Sequence, residues 1–201
     1  MAIDILALKQ DSNIGLKCFC TDEVCLIPRN AQDKDIRIIQ ETLKVPIVRT
    51  SVMGTDFLGV FLIGNDKVVL APSLIYDHEV KEMEDAGLKV ERLDELNNCF
   101  GNNSLLLEET AIIGPDMSDA FKKRVEELFN VKIIESEFHD IETPGSIVVH
   151  RNGRGLTSLE GKELERMEQM SGLELERSTI NSGSPYLKSG ILLNKNGVLV
   201  G

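Results

Sequence analysis

Residues 178–201 read STINSGSPYLKSGILLNKNGVLVG, and this stretch decides the fold. A turn-rich entry and the small pair Ser189 and Gly190 lead into two short apolar runs, 191–193 and 198–200. The turn between the runs ends in Asn-Gly, and two apolar runs around such a turn are a strong hairpin signal. The stretch is therefore predicted to form a β-hairpin that follows a polar loop.

The same pattern occurs four more times upstream. Each copy places a glycine ahead of an apolar hairpin, and successive glycines are separated by 44, 42, 44 and 45 residues. These marker glycines are Gly15, Gly59, Gly101, Gly145 and Gly190. Nearly equal intervals in register with the hairpins indicate an internal repeat.

In each of the first four copies, the residues after the hairpin are predicted to form a helix and then a strand. Apolar residues at helical spacing predict helices over 36–43, 77–86, a segment capped by Asp116 or Ser118 that runs to Phe129, and 159–170. Extended runs predict strands over 45–50, 88–93, 131–134 and 173–177. Each unit is therefore predicted to be a hairpin, a helix and a strand.

The fifth unit stops at Gly201, without a helix or a third strand. Residues 3–8 form an apolar run that has nothing before it to pair with. We therefore predict circular closure, in which residues 3–8 supply the missing strand, because closure removes exposed sheet edges. The absent helix leaves three alternatives open: exposed apolar surface, a partner in its place, or a chain that has been trimmed.

Length and composition favour one domain over residues 1–201, since the chain is 42% apolar and has no linker-like tract. No apolar run approaches the roughly 20 residues that cross a membrane, and no basic segment precedes residues 3–8, so neither a membrane span nor a signal peptide is predicted. The net charge of −11 argues against DNA and anionic lipid as partners. It suits a basic protein partner, or an acidic surface that only keeps the protein in solution.

The four cysteines are Cys18, Cys20, Cys25 and Cys99. They lack the paired C-x-x-C spacing and the fourth ligand of a structural metal site. No metal and no cofactor is therefore predicted, and reduced, packed thiols in a cytosolic protein are expected.

The repeat plan resembles the pentein fold, an α/β propeller in which five pseudo-symmetric repeats close into a disc, here with the fifth helix missing. Within that fold the chain resembles the translation initiation factor 6 family of archaea and eukaryotes over nearly its whole length. The matching motifs are residues 48–51 through Leu58-Gly59, Leu96-Asn97 with Phe100-Gly101-Asn102, 179–186 through Ser189-Gly190, and 198–201.

Three features depart from the family pattern. The segment 96–102 is one residue longer, Thr157-Ser158 stands where a proline-closed strand is usual, and the C-terminal helix is missing. The first and third of these bear on the shape of the binding face.

The resemblance implies a cytoplasmic, non-enzymatic monomer that binds the intersubunit face of the large ribosomal subunit. Such a protein lies near the sarcin–ricin loop and a basic ribosomal protein, blocks the small subunit and takes part in large-subunit maturation. A cyclic repeat projects equivalent loops to one end, and we expect contacts in two of them. The expected contact residues are Gly101, Asn102 and Asn103 in one loop, and Asn181, Ser182, Gly183, Ser184, Pro185 and Tyr186 in the other. Glycine permits close backbone approach and asparagine offers donor and acceptor groups, although turn geometry alone would also explain these residues.

Two alternatives belong to other functional classes. A divergent pentein could bind a different protein partner, which the lost helix slightly favours. Other penteins are guanidine-modifying enzymes with a cysteine nucleophile near the chain's end and a histidine. Here the last cysteine is Cys99, and His78, His139 and His150 show no spacing that pairs them with a cysteine, so the enzymatic interpretation is disfavoured.

Overall fold

The computed structural model describes residues 2–136 and 143–201. In chain order the elements are β1 (Ala2–Ile5), α1 (Ile14–Lys17), β2 (Phe19–Cys20), β3 (Cys25–Pro28), α2 (Asp33–Leu43), β4 (Ile47–Thr50), α3 (Leu58–Phe61), β5 (Ile63–Gly64), β6 (Val68–Pro72), α4 (Asp77–Asp85), β7 (Lys89–Leu93), α5 (Phe100–Asn103), β8 (Ser104–Leu106), β9 (Thr110–Ile113), α6 (Asp119–Phe129), β10 (Lys132–Glu135), α7 (Pro144–Ile147), β11 (Val148–Arg151), β12 (Arg154–Thr157), α8 (Gly161–Ser171), β13 (Glu174–Arg177), α9 (Leu187–Gly190), β14 (Ile191–Leu193) and β15 (Gly197–Val200).

The described strands form five three-stranded sheets of the same design. In each of the first four units an antiparallel hairpin is extended by a third strand that runs parallel to the middle one, as in β2-β3-β4. A helix connects the middle strand to the third strand, as a parallel crossover requires. The predicted unit of hairpin, helix and strand is therefore confirmed, and the five repeats give the pentein-type α/β architecture.

The N-terminal strand completes the fifth sheet. β1 pairs in parallel with β15, from Ala2 opposite Gly197 to Ile5 opposite Val200, which confirms the predicted closure. The observed strand ends at Ile5, whereas the predicted strand covered residues 3–8. Leu6 and Leu8 instead turn into the core and are almost fully buried.

The four long helices lie between neighbouring sheets. Met83 of α4, for example, packs against Leu26 of the first sheet and Val69 of the second. Ser118 caps α6, since its Oγ accepts a hydrogen bond from the Phe121 backbone N–H at 3.1 Å. The last of the long helices, α8, was predicted to begin at Leu159 but begins at Gly161.

The site of the missing fifth helix is an apolar surface between units four and five. Among residues 2–136 and 143–201, the core cluster there has three buried members, Val149, Leu187 and Ile191. Val198 packs against this cluster, and its partner across the sheet, Ile3, is 70% exposed. Apolar side chains at the edge of the fifth sheet are therefore exposed in the described structure.

The sequence pattern did not reveal five one-turn helices, α1, α3, α5, α7 and α9, that contact one another in a closed ring around the axis. Each of them carries a marker glycine. A Cβ on Gly101 would lie 2.2 Å from the carbonyl oxygen of Gly59, and a Cβ on Gly59 would lie 2.0 Å from that of Gly15. Both distances are far shorter than any real Cβ contact, so only hydrogen fits at Gly59 and Gly101. Gly15, Gly59, Gly101 and Gly145 are therefore required by the close packing of this glycine ring, whereas a Cβ on Gly190 would meet the side chains of Ile180 and Asn181.

Candidate functional site

The described loops that enter α1, α3, α5 and α9 lie at one end of the disc, because each follows the carboxyl end of a third strand and precedes a helix of the glycine ring. The loop face is defined here as residues 8–13, 52–57, 94–99 and 180–186 together with the neighbouring segment 73–76. The hairpin turns lie at the opposite end, defined here as the hairpin-turn end.

Three of these loops share an unusual backbone. Two or three successive residues have positive φ in each: Lys9 and Gln10, Met53 and Gly54, and Asn181 to Gly183. A short antiparallel bridge closes each turn. Most of these residues carry side chains, which rarely adopt this conformation, so flanking contacts must hold the turns.

The unit-five loop is exposed, as a contact surface requires. Ser182, Gly183, Pro185 and Tyr186 are exposed, and Ser184 is half-buried. Asn181 instead joins neighbouring units, because its amide donates to Asn13 Oδ1 at 3.1 Å. This residue therefore helps to hold the loop rather than projecting from it.

The unit-three residues named above do not form a loop. Gly101, Asn102 and Asn103 belong to α5, and Gly101 and Asn103 are buried. The Asn103 amide donates to the Cys99 carbonyl at 2.9 Å, so its role is structural. Asn102 is half-buried, and its Oδ1 has no partner among the described residues. The expectation that these three residues project in one loop was wrong, because packing in the glycine ring makes them helical.

On the loop face, Asp94 and Leu96 are exposed at the entry to unit three, and Glu95, Asn97 and Asn98 are half-buried. Leu96 is 97% exposed, the largest value among the exposed large apolar residues described. The sequence analysis used Leu96 only as a family motif. The signal that could have identified Leu96 as an exposed contact residue is its position as the single apolar residue in the polar stretch 94–98, DELNN.

Other exposed apolar side chains occupy the same end. They are Phe57, Leu74, Tyr76 and Tyr186. The segment of Leu74 and Tyr76 lies at this end because the Ser73 N–H donates to the Leu93 carbonyl at 2.8 Å. Exposed aromatic and leucine side chains grouped on a rigid surface are typical of protein interfaces.

A buried carboxylate holds the unit-two loop. Glu79 is fully buried and accepts from Ser51 Oγ at 2.6 Å, and from the backbone N–H groups of Met53 at 2.9 Å, Gly54 at 2.8 Å and Tyr76 at 2.9 Å. Burial acts to raise the pKa of Glu79, but the four donors outweigh it and hold the pKa below its usual value. The charged form of Glu79 therefore fixes both the loop and the Tyr76 segment.

The described cysteines and histidines that were considered for catalysis are not arranged as a nucleophile and base. Burial raises the pKa of the Cys18 and Cys99 thiols, and contact with Cys20, followed by burial, raises that of Cys25. Across residues 2–136 and 143–201, no hydrogen bond joins a thiol to an imidazole. His139 lies outside the described residues.

His78 stacks on Tyr76, with ring centroids 5.7 Å apart, and His150 Nε2 lies 3.0 Å from the Leu106 carbonyl oxygen. The described residues include no cluster of three or more His, Cys, Asp or Glu side chains suited to a metal ion. Nor is any helix among them both long enough and apolar enough to span a bilayer.

Comparison with known proteins decides the family, since the chain matches the eIF-6 family over residues 3–201. The chain belongs to the eIF-6 family. Relatives named Translation initiation factor 6 include that of Sulfolobus acidocaldarius, 30% identical over 206 residues, covering 100% of this chain and 92% of that protein. The relative from Staphylothermus marinus is 28% identical over 209 residues, covering 100% and 91%.

Solved structures show the same fold in distant proteins. Dimethylarginine dimethylaminohydrolase from Pseudomonas aeruginosa, complexed with citrulline, has a TM-score of 0.55 at 16% identity, covering 84% of this chain and 69% of that one. A variant dimethylarginine dimethylaminohydrolase as an adduct with S-methyl-L-thiocitrulline gives a TM-score of 0.56 at 16% identity, with the same coverage. At this identity the likeness shows the pentein fold alone.

Proposed function

We propose that this eIF-6 family protein binds the large ribosomal subunit through its loop face, keeps the small subunit from joining and takes part in large-subunit biogenesis. The observation that carries the proposal is the exposed apolar group on the loop face, where Leu96, Phe57 and Tyr186 stand on loops fixed by the core. The name shared by the relatives supports translation as the process.

Rigidity supports a binding role. The Glu79 carboxylate holds one loop through four hydrogen bonds, and the Asn181 amide ties another to unit one. Loops that are ordered before binding lose little conformational entropy on association. The exposed unit-five residues, Asn102 and Leu96 are the proposed contacts, whereas Gly101 and Asn103 are assigned to folding.

Charge indicates which component of the ribosome is touched. A net charge of −11 disfavours broad contact with RNA phosphates. The proposed partner is a basic ribosomal protein beside the sarcin–ricin loop, which an acidic disc attracts. The protein acts there as a steric block, as a cytoplasmic monomer without a catalytic step.

The first experiment is sedimentation of the full chain with purified archaeal large subunits, followed by addition of small subunits. Comigration with the large subunit and a reduced yield of joined ribosomes are expected. If the protein stays at the top of the gradient at equimolar subunit and joining is unchanged, the proposed function is wrong. If it comigrates but joining is unchanged, binding stands and the anti-association role is wrong.

A further inference from the structure

An internal cavity lies on the axis of the disc, beneath the glycine ring. Its volume is about 220 Å³, and the first strands of all five units line it. The lining residues nearest the ring, such as Leu62, Ser104 and Val148, are buried, whereas Leu106 and His150, nearer the hairpin turns, are half-buried. The cavity therefore opens toward the hairpin-turn end, away from the loop face.

Lys188 brings a cation to the closed end of this cavity. It belongs to unit five, yet its Nζ donates to the Gly101 carbonyl oxygen of unit three at 2.7 Å, so the side chain crosses the axis. An ammonium has three protons to donate, and one carbonyl satisfies one of them. No carboxylate lies within ion-pair distance of Lys188 in the described parts of the chain. The residue as a whole is half-buried, and an ammonium withdrawn from water without a carboxylate partner is unfavourable. Burial accordingly lowers the pKa of Lys188 to about 8, which leaves the amine mostly protonated at neutral pH.

Ser104 adds an unused hydroxyl to the same cavity. Its side chain is 4% exposed, and its Oγ has no hydrogen-bond partner among the described residues. Ser104 directly follows α5, the helix that carries Gly101, and both Ser104 and Lys188 line the cavity. A buried hydroxyl without a partner is destabilising unless a bound molecule supplies one.

The other residues that line the cavity are mostly apolar or uncharged, so they favour a ligand with one charged group and an alkyl chain. Ile63, Leu105 and Ile191 are among the apolar lining residues. Burial lowers the pKa of His150, and burial raises that of Cys18, so neither group adds charge at neutral pH. The volume is below the roughly 300 Å³ at which drug-sized pockets begin, which restricts the ligand to a few carbon atoms.

We propose that the axial cavity binds a short-chain aliphatic monocarboxylate. Its carboxylate pairs with the Lys188 ammonium and accepts a hydrogen bond from the Ser104 hydroxyl, while its alkyl chain packs against the apolar wall. Because the cavity opens away from the loop face, the carboxylate and a partner on the loop face occupy separate ends of the disc. This site does not depend on the function proposed above.

Butyrate and its neutral isostere butyramide test the proposal on the unmodified full chain. Methyl NMR spectra of the protein should show saturable shifts at Leu62, Val148 and Ile191 with butyrate, with a Kd of about 1 mM. Butyramide should bind at least about tenfold more weakly, since it cannot pair with the ammonium. Equal binding of the two, or no saturable shift at these methyls, overturns the proposal.

Substitutions identify the groups involved. Lys188→Met should abolish the preference for butyrate, and Ser104→Ala should weaken butyrate binding by about threefold to tenfold. Lys195→Met removes an exposed lysine near the hairpin-turn end and should leave binding unchanged. If Lys188→Met does not fold, the comparison of Ser104→Ala with the unmodified protein decides, and unchanged affinity in Ser104→Ala overturns the assigned hydrogen bond.

The pH dependence provides a separate readout. Butyrate affinity should fall about tenfold per pH unit above the pKa of the free amine, because binding requires the ammonium. The other titratable or charged groups lining the cavity or near its mouth are His150, Cys18, Cys20, Asp22, Glu108 and Arg151. The His150 imidazole titrates below this range and the Cys18 thiol above it. An affinity for butyrate that does not change between about pH 7 and pH 10 contradicts the proposal.

Discussion

Arg151 of unit four and Asp22 of unit one form a bidentate ion pair, although their units are not neighbours in the ring. Nη1 of Arg151 lies 2.9 Å from Oδ1 of Asp22, and Nη2 lies 3.0 Å from Oδ2. Asp22 also accepts from the backbone N–H of Lys195 at 2.6 Å. One carboxylate thus ties units one, four and five together at the hairpin-turn end.

Breaking this pair should lower stability measurably. Arg151→Gln should reduce the free energy of unfolding by about 1–2 kcal/mol, because the half-buried Asp22 loses its charged partner. Urea unfolding of Arg151→Gln, Asp22→Asn and the double variant measures the coupling between the two side chains. Strictly additive effects would mean that the observed geometry contributes no coupling.

The four marker glycines that meet a backbone carbonyl oxygen, Gly15, Gly59, Gly101 and Gly145, should tolerate no side chain. Gly101→Ala would place a Cβ 2.2 Å from the Gly59 carbonyl oxygen, and both atoms lie in packed backbone. We expect a loss of more than about 3 kcal/mol, or failure to fold. Gly87→Ala is the matched control, because Gly87 has φ of +93° but no atom within 4 Å of the added Cβ. It should cost about 1 kcal/mol, and similar unfolding midpoints for the two variants would contradict the steric explanation.

Because of Glu79, the free energy of unfolding should depend on pH in the acid range. Its folded pKa lies below the ordinary value of 4.5, so the stabilisation is present above that value and is lost as pH falls through the folded pKa. Glu79→Gln should remove this part of the pH dependence. It should also cost about 2–4 kcal/mol, since the amide nitrogen cannot accept from the N–H donors that face it. Unfolding curves from pH 3 to pH 7 check this, and parallel pH profiles for the two proteins would exclude the assigned role.

Much of the fold follows from local patterns. Hairpin turns and helical spacing are encoded within about ten residues, so the repeat and the long helices were predictable. The pairing of the N-terminal strand was predictable for another reason, because residues 3–8 had no earlier partner and the fifth unit lacked a third strand. The glycine ring was not, because a four-residue helix such as Ile14–Lys17 has no period of its own and depends on contacts with neighbouring units.

The candidate site was less predictable for the same reason. Gly101, Asn102 and Asn103 have the composition of a turn, but packing around the axis makes them helical and buries two of them. Leu96 gave no periodic signal, and its exposure depends on where unit three begins. Lys188 reads as an ordinary surface lysine, and only the closed ring brings its Nζ to the Gly101 carbonyl of a distant unit.

Salt should weaken ribosome binding only moderately. An acidic disc that touches a basic protein neutralises few phosphates, so few counterions are released. The slope of log K against log salt concentration should be smaller in magnitude than about 3. A slope near that of a protein making six or more phosphate contacts would place RNA, rather than a basic protein, at the interface.

The most direct test of the loop face compares two exposed apolar residues in gradient binding to purified large subunits. Leu96 on the loop face is 97% exposed and Ile5 on the edge strand is 74% exposed, so replacing either with serine should leave the fold intact. Leu96→Ser should weaken binding by about 1–2 kcal/mol, roughly five- to thirtyfold, while Ile5→Ser should bind like the unmodified protein. Unchanged binding in Leu96→Ser together with loss of binding in Ile5→Ser would contradict the assignment and place the interface at the edge strand.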